Sequence, residues 1–254
     1  MSVFDFQPSE SKPFRDSAPS AEVVMMRTYS RRKADGTREN FEEAMLRTVN
    51  DLGLVGQYTQ EEYSLVREQA LKQRAFPSGR AFWVAGTPWS KKQENFSGYY
   101  NCTSTHIGDL DAFGLLVDLA MQGSGTGAVL EDSVVAELPP VTTRIRQLFG
   151  GRCPGSVPED QRNENTQVIR ETGDPDYKGG PTEWVTIIVG DSRQGWRDAY
   201  QALINLACFY NQPHLNKRDV EFVRIDFGNV RPAGEKLKGF GGTSNPVKLE
   251  DAFN

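Results

Sequence analysis

Histidine is almost missing from this sequence, with His106 and His214 as the only two in 254 residues. A histidine-rich metal centre or a Ser-His-Asp triad therefore has few candidates, and no metal site is expected. Cysteine is scarce too. Cys102, Cys153 and Cys208 lie far apart, at neither CxxC nor zinc-finger spacing, which excludes a disulfide framework and a cysteine-based zinc motif. Such cysteine usage fits a reducing compartment, and a cytoplasmic location is expected. Positive charge is not in excess. Against 34 Asp and Glu there are 29 Lys and Arg, giving a net charge of -5 and a pI near 5.3. A protein that coats DNA or RNA by bulk electrostatics is excluded on that ground. Long apolar runs are lacking: none approaches the roughly 20 residues of a membrane span. The N-terminus has no charged-then-apolar signal pattern. Neither nucleic acid nor membrane is an expected partner.

What the sequence does have is an ordinary soluble composition, 37% hydrophobic and 25% charged, and enough length for a sizeable core. Its organising stretch runs from Phe96 to Glu131. Small and aromatic residues surround Cys102, Asp109 and Asp111 follow, and Phe113, Leu116, Val117, Ala120 and Met121 recur at helical spacing. Gly-Ser-Gly-Thr-Gly at 123–127 ends that helix, and Ala128-Val129-Leu130 predicts a short strand. Strand, helix, glycine loop and strand make a βαβ unit with parallel strands and a right-handed crossover. A cysteine at the end of such a strand points to the place where α/β folds put ligands.

Around this centre the chain divides by composition. Residues 1–25 are rich in Ser, Pro, Lys and Glu and predict a mobile tail. Arg27 to Arg32 is basic with one aromatic and predicts a solvated strand or arm, with phosphate binding as the other reading. A helix is expected over 39–52, with Phe41, Ala44, Met45, Thr48 and Val49 on its apolar face. Thr59 and Glu62 form a capping box that starts a second helix. Ala81 to Gly86 predicts a strand or short buried segment, and 141–182, rich in Gly and Pro, predicts a loop-rich insertion. Trp184 to Val189 predicts a strand. Ser192 is the expected N-cap of a helix carrying Trp196, Tyr200, Leu203, Ile204 and Ala207, with Cys208 as a core residue. Val220 to Phe227 predicts a strand, and 249–254 the start of a helix.

Three features could carry chemistry. Cys102 has a polar rim of Asn101 and three hydroxyl residues, which suits a nucleophile, a metal ligand or half of a redox pair as well as an inert packed thiol. The glycine loops at 123–127 and 239–246 offer backbone N–H groups to an anion, or serve only tight turns. The first is not a P-loop, since no Lys-Ser/Thr pair follows it, and the two together suggest nucleotide binding. Asp109 and Asp111 either cap the helix near Ala112 or accept from a ribose hydroxyl; the residues alone leave both open.

Six blocks in order, RTYSRR, PSGRAFWVAGT, ENFSGYYNCTSTHI, DLAMQGSGTGAVLE, VGDSRQGW and GFGGTSNP, resemble the N-terminal part of an adenosylcobalamin-dependent (class II) ribonucleotide reductase. The monomeric ribonucleoside-triphosphate reductases are the subtype most alike. The resemblance implies an α/β fold: a helical N-terminal region at 26–90, the first part of a ten-stranded α/β barrel at 91–139 and 226–254, and an inserted effector-binding subdomain at 140–225. It implies a radical reduction of a ribonucleoside triphosphate for DNA replication, begun by adenosylcobalamin and completed by a cysteine pair that becomes a disulfide. Cys102 matches the first reducing cysteine. Ser78 and Asn101 fall at substrate phosphate and ribose contacts, and Gly125 is assigned with them to the substrate. Asp109 matches a contact to the allosteric deoxynucleotide effector, with Gly242, Thr243 and Ser244 in the adjoining loop. A thioredoxin-type protein is the implied reductant. The family's thiyl cysteine, catalytic glutamate, second reducing cysteine and most of its cobalamin surface match no position here. The chain is therefore expected to need a C-terminal half; a stand-alone nucleotide-binding regulatory module is the alternative.

Overall fold

The computed structural model describes residues 20–148, 150–173, 183–208, 222–237 and 243–246. The chain divides into two compact units, Met1–Asn101 and Cys102–Asn254.

The first unit is helical. Helix α1 (Ala21–Val24) runs into a π-helical turn, Met25–Tyr29. Helices α2 (Phe41–Val55), α3 (Gln60–Leu71) and α4 (Gly79–Val84) follow, then a 3-10 segment, Gln93–Tyr99. The expected apolar face of α2 is the buried one: Phe41, Ala44, Met45, Thr48 and Val49 all lie in the core, with Tyr63, Ala70, Leu71 and Phe82 packed among them or close by. Burial of each large side chain here contributes on the order of 1.5–3 kcal/mol. Thr59 and Glu62 form the expected capping box, and Asn40 and Glu43 form a second one at the start of α2. Each satisfies backbone N–H groups that a helix start leaves unpaired.

Two expectations hold only in part in this unit. Within Arg27 to Arg32, Arg27 and Arg32 are exposed as in a solvated arm, but Ser30 is buried, Tyr29 stacks on Phe82 at 4.7 Å, and the Ser30 hydroxyl donates to the Glu39 carbonyl at 2.7 Å. The reason is the buried Glu39–Arg47 pair at 2.9 Å, whose guanidinium also reaches the carbonyls of Tyr29, Phe82 and Ala85. Arg31, drawn into the same cluster, has its pKa lowered to about 10, mainly by burial and then by Arg47. Of the two readings of Ala81 to Gly86, the short buried segment holds and the strand does not: Ala81, Phe82, Val84 and Ala85 are buried, and the segment is helical because the Ser78 hydroxyl accepts from the Ala81 N–H at 3.1 Å and caps it. Residues 1–19 of the expected tail lie outside the described residues; Ala21–Val24 is helical.

Among the described residues, the second unit holds two sheets. Strands β1 (Cys102–His106) and β2 (Gly125–Val129) pair in parallel across helix α5 (Asp111–Met121), which is the expected βαβ unit. The strand begins within the glycine run and not after it: Gly125 pairs with Cys102 and Gly127 with Ser104. A short helix, α6 (Asp132–Val135), follows. The other sheet has the order β3-β6-β5-β4. It is built from β3 (Arg146–Leu148), β4 (Gln167–Thr172), β5 (Glu183–Ile188) and β6 (Phe222–Asp226), with only the β4–β5 pair antiparallel. Helix α7 (Arg193–Cys208) covers one face. Val185, Ile187, Val223 and Ile225 meet Ala199, Ala202 and Leu206 of α7, and Cys208 is buried as expected.

The stretch expected as loop from 141 to 182 thus contributes β3 and β4. Both are too polar to alternate clearly, and they are strands because β6 and β5 present edges to pair with. The sheet also runs through the expected 225/226 boundary, since Phe227 and Val230 join the same core. The β5–α7 turn is crowded. A Cβ on Gly190 would stand 2.3 Å from the Glu164 carbonyl oxygen, and one on Gly195 2.7 Å from it. The Ser192 hydroxyl accepts from the Gly195 N–H at 2.9 Å, as the expected N-cap should, and donates to the Glu164 carbonyl at 2.6 Å.

Candidate functional site

Cys102 opens β1 and its side chain is exposed as a free thiol. Opposite it in the ladder stands Gly125, exposed and without a side chain, so the backbone beside the sulfur is uncluttered. Next along, the Ser124 hydroxyl lies 3.3 Å from the Thr103 hydroxyl, closing the glycine turn onto β1. Asn101 is exposed at the bend just before Cys102. Ser78 is exposed, but its hydroxyl is engaged as the cap of α4. It belongs to the first unit and Cys102 to the second.

Asp109 performs the capping role that the residues left open. Its Oδ1 accepts from the Ala112 N–H at 2.9 Å, and the side chain is exposed at the first turn of α5. Helix α5 does not bury the face its periodicity suggests. Ala112, Gly114 and Leu119 are buried, while Ala120 is exposed and Phe113, Leu116 and Val117 are half-buried. The buried side is turned to α7, which runs antiparallel along it. Arg193 Nε donates to Asp118 at 2.9 Å near one end, and Gln201 reaches Gly114 and Leu110 near the other.

Of the second glycine loop, Gly242 lies outside the described residues, as does 238–241. Its far end is anchored. Thr243 is exposed and bridges to Lys236. Ser244 is buried: its N–H donates to the Glu235 carbonyl at 2.8 Å and its hydroxyl to the Arg231 carbonyl at 3.2 Å. The loop base is tied to the β5–α7 turn by a buried fork from Arg231 to Asp191, and Arg162 adds a pair with Glu235 at 2.7 Å. His106, the one described histidine, is exposed at the end of β1, and among the described residues no three His, Cys, Asp or Glu cluster as metal ligands.

Sequence reasoning singled out Cys102 and Asp109 as candidates and did not single out Gln201, Asp191 or Arg231. A signal for Gln201 exists in hindsight: a glycine inside a helical pattern, here Gly114, marks a close approach.

Comparison with known proteins bears on the whole chain. Residues 160–252 match the family model described as B12-dependent ribonucleotide reductase, insertion domain. A Mycobacterium phage D29 protein, provisionally named an adenosylcobalamin-dependent ribonucleoside-triphosphate reductase, is 31% identical over 239 residues. That alignment spans 91% of this chain and 31% of the phage protein. The adenosylcobalamin-dependent ribonucleoside-triphosphate reductase of Lactobacillus helveticus is 26% identical over 272 residues, 91% of this chain and 34% of the relative. The crystal structure of a B12-dependent (class II) ribonucleotide reductase shares the fold, with a TM-score of 0.65 at 24% identity over 89% of this chain and 35% of that one. The chain spans about a third of the length of the curated relatives it matches. Along about nine-tenths of its length, it is similar to the N-terminal part of the adenosylcobalamin-dependent, class II ribonucleotide reductases.

Proposed function

We propose that this chain is the N-terminal portion of an adenosylcobalamin-dependent ribonucleoside-triphosphate reductase and works with a C-terminal half. The observation that carries the reading is the collinear similarity over 91% of the chain, within which Cys102 stands exposed at the start of a parallel strand. In this reading 26–90 is the helical region, 91–139 begins a ten-stranded barrel, and the effector-binding insertion, expected at 140–225, runs on through β6 toward residue 252, where the insertion-domain match ends. Cys102 and a cysteine of the C-terminal half are the reducing pair. The ribose 2′-hydroxyl leaves as water, two thiols supply two electrons and become a disulfide, and a thioredoxin-type protein restores them. Ser78, Asn101 and Gly125 contact the substrate. Asp109, with Gly242, Thr243 and Ser244, contacts the deoxynucleotide effector. Adenosylcobalamin supplies the initiating radical when bound. The chain covers about a third of its relatives' length, and the cofactor is assigned mainly to the C-terminal half.

The test is reconstitution. The pure chain, given adenosylcobalamin, dithiothreitol and a ribonucleoside triphosphate, should form no deoxynucleotide. Addition of a C-terminal half from a neighbouring reading frame or a relative should give turnover. Cys102→Ser should abolish that turnover and leave the complex intact. A Cys102→Ser complex working at the wild-type rate would remove Cys102 from the chemistry, and turnover without the C-terminal half would remove the need for it. If the chain binds nucleotide yet no C-terminal half confers turnover, a stand-alone regulatory module is the better reading.

A further inference from the structure

The amide of Gln201, on α7, is inserted into the first turn of α5. Its Oε1 accepts from the Gly114 N–H at 2.9 Å, and its Nε2 donates to the Leu110 carbonyl at 3.0 Å. Those two backbone groups stand four residues apart and would ordinarily bond each other in the helical ladder. Here the Leu110 carbonyl takes the Phe113 N–H at 3.2 Å, and the side chain of another helix engages both groups. Gly114 permits this, because a Cβ there would stand 2.4 Å from Gln201 Oε1. Asn205 fixes the amide in turn by accepting from Nε2 at 2.8 Å.

The same turn carries Asp109, whose Oδ1 holds the Ala112 N–H. A helix start leaves its first N–H groups without intrahelical partners. In α5 the Ala112 N–H is satisfied by Asp109, and the Gly114 N–H, the first that would otherwise join the ladder, by Gln201. The position of the Asp109 carboxylate is therefore set jointly by its own cap and by an amide from α7.

We propose that Gln201 is the positioning residue for the effector: it holds the Asp109 turn in the geometry that receives the deoxynucleotide sugar and couples that turn to α7. The inference rests on the effector reading of Asp109 given above. Whatever holds a binding turn in its competent form raises affinity, and by linkage the ligand must tighten the same contact.

The experiment uses the full chain and four probes, dATP, dGTP, dCTP and dTTP, titrated calorimetrically. Gln201→Met has a similar length and keeps the packing, but it can neither accept from Gly114 nor donate to Leu110. It should weaken binding of the preferred deoxynucleotide roughly tenfold, leave the unfolding midpoint near wild type, and speed exchange of the Gly114 amide proton seen by NMR. A merely space-filling role for Gln201 would move neither the affinity nor that amide. Wild-type affinity in Gln201→Met, with affinity lost in Asp109→Ala, would overturn this inference and leave the effector reading standing. No binding of any of the four by the wild-type chain would overturn both. Should Gln201→Met fail to fold, the wild-type chain still decides: the bound deoxynucleotide must slow exchange at 109–114 and around 201, and protection at 109–114 without any around 201 would overturn the coupling.

Discussion

Arg231 grips Asp191 with two guanidinium nitrogens, Nε on Oδ1 and Nη2 on Oδ2, each at 2.9 Å, and the two side chains are only 5% and 4% exposed. The third nitrogen, Nη1, donates to the Lys236 carbonyl at 2.8 Å, so the fork welds the β5–α7 turn to the base of the second glycine loop. A buried pair of this kind is expensive to break from one side, because the remaining charge is left without compensation. Asp191→Ala should destabilise the second unit by about 3–5 kcal/mol. Replacing both partners, as Asp191→Leu with Arg231→Met, should cost less than the single change. Denaturant unfolding followed by the tryptophans of that unit, Trp184 and Trp196, tests it; a double variant weaker than Asp191→Ala would contradict the argument.

Much of the local structure was readable before any coordinates, and its limits have physical causes. The Thr59–Glu62 box, the α2 face and the Ser192 cap were legible because each depends on residues at most a few positions apart. Cys102 and the β1–α5–β2 order were legible for the same reason. Strand β4 was not, since Gln167, Arg170, Glu171 and Thr172 become strand only against β5. The buried side of α5 was misread because α7, not an apolar stripe, decides it: Gln201 meets Leu110 across 91 positions and Asp191 meets Arg231 across 40. Such pairs leave no periodic trace. Within the candidate site the candidate residues Cys102 and Asp109 were visible, while the residues packed around them were not.

The first helical unit should weaken in acid. Glu43 has its pKa lowered, first by its hydrogen bond to Lys33 and then by the Asn40 N–H. A carboxylate held below its ordinary value of 4.5 stabilises the fold above that pH, and the contribution is lost as pH falls through the lowered value. Helicity followed by circular dichroism in a descending titration should therefore show a loss in wild type that Glu43→Gln reduces. Asn40→Ala, which removes the other half of the box, should cost about 1 kcal/mol at neutral pH.

Tyr99 should titrate late. Burial, and next its hydrogen bond to Asp51, push its phenol up to about 12 from an ordinary 10.0. The folded chain keeps this proton where the unfolded chain has lost it. The associated stability is full below pH 10, and it is lost as pH rises toward 12. Tyrosinate absorbance in an alkaline titration should show a late component that disappears in Tyr99→Phe and moves to lower pH in Asp51→Asn. A late component unchanged in Tyr99→Phe would assign it to another tyrosine.

The three thiols should separate by accessibility, and the order bears on the redox reading. Cys102 and Cys153 are exposed, whereas Cys208 is buried at the end of α7, and burial raises its pKa. Alkylation needs the thiolate at the surface, so a buried thiol with a raised pKa reacts only when the helix opens. Iodoacetamide applied to the native chain at neutral pH should label Cys102 and Cys153 within the same early phase and reach Cys208 only on unfolding, as peptide mass mapping would show. Binding of a ribonucleoside triphosphate to the reconstituted complex should then slow labelling at Cys102 and leave Cys153 unchanged, since only Cys102 is assigned to the substrate. Equal slowing at both cysteines would point to a general closing of the second unit. Unchanged labelling at Cys102 under saturating nucleotide would place the substrate away from β1 and end its role as a reducing thiol.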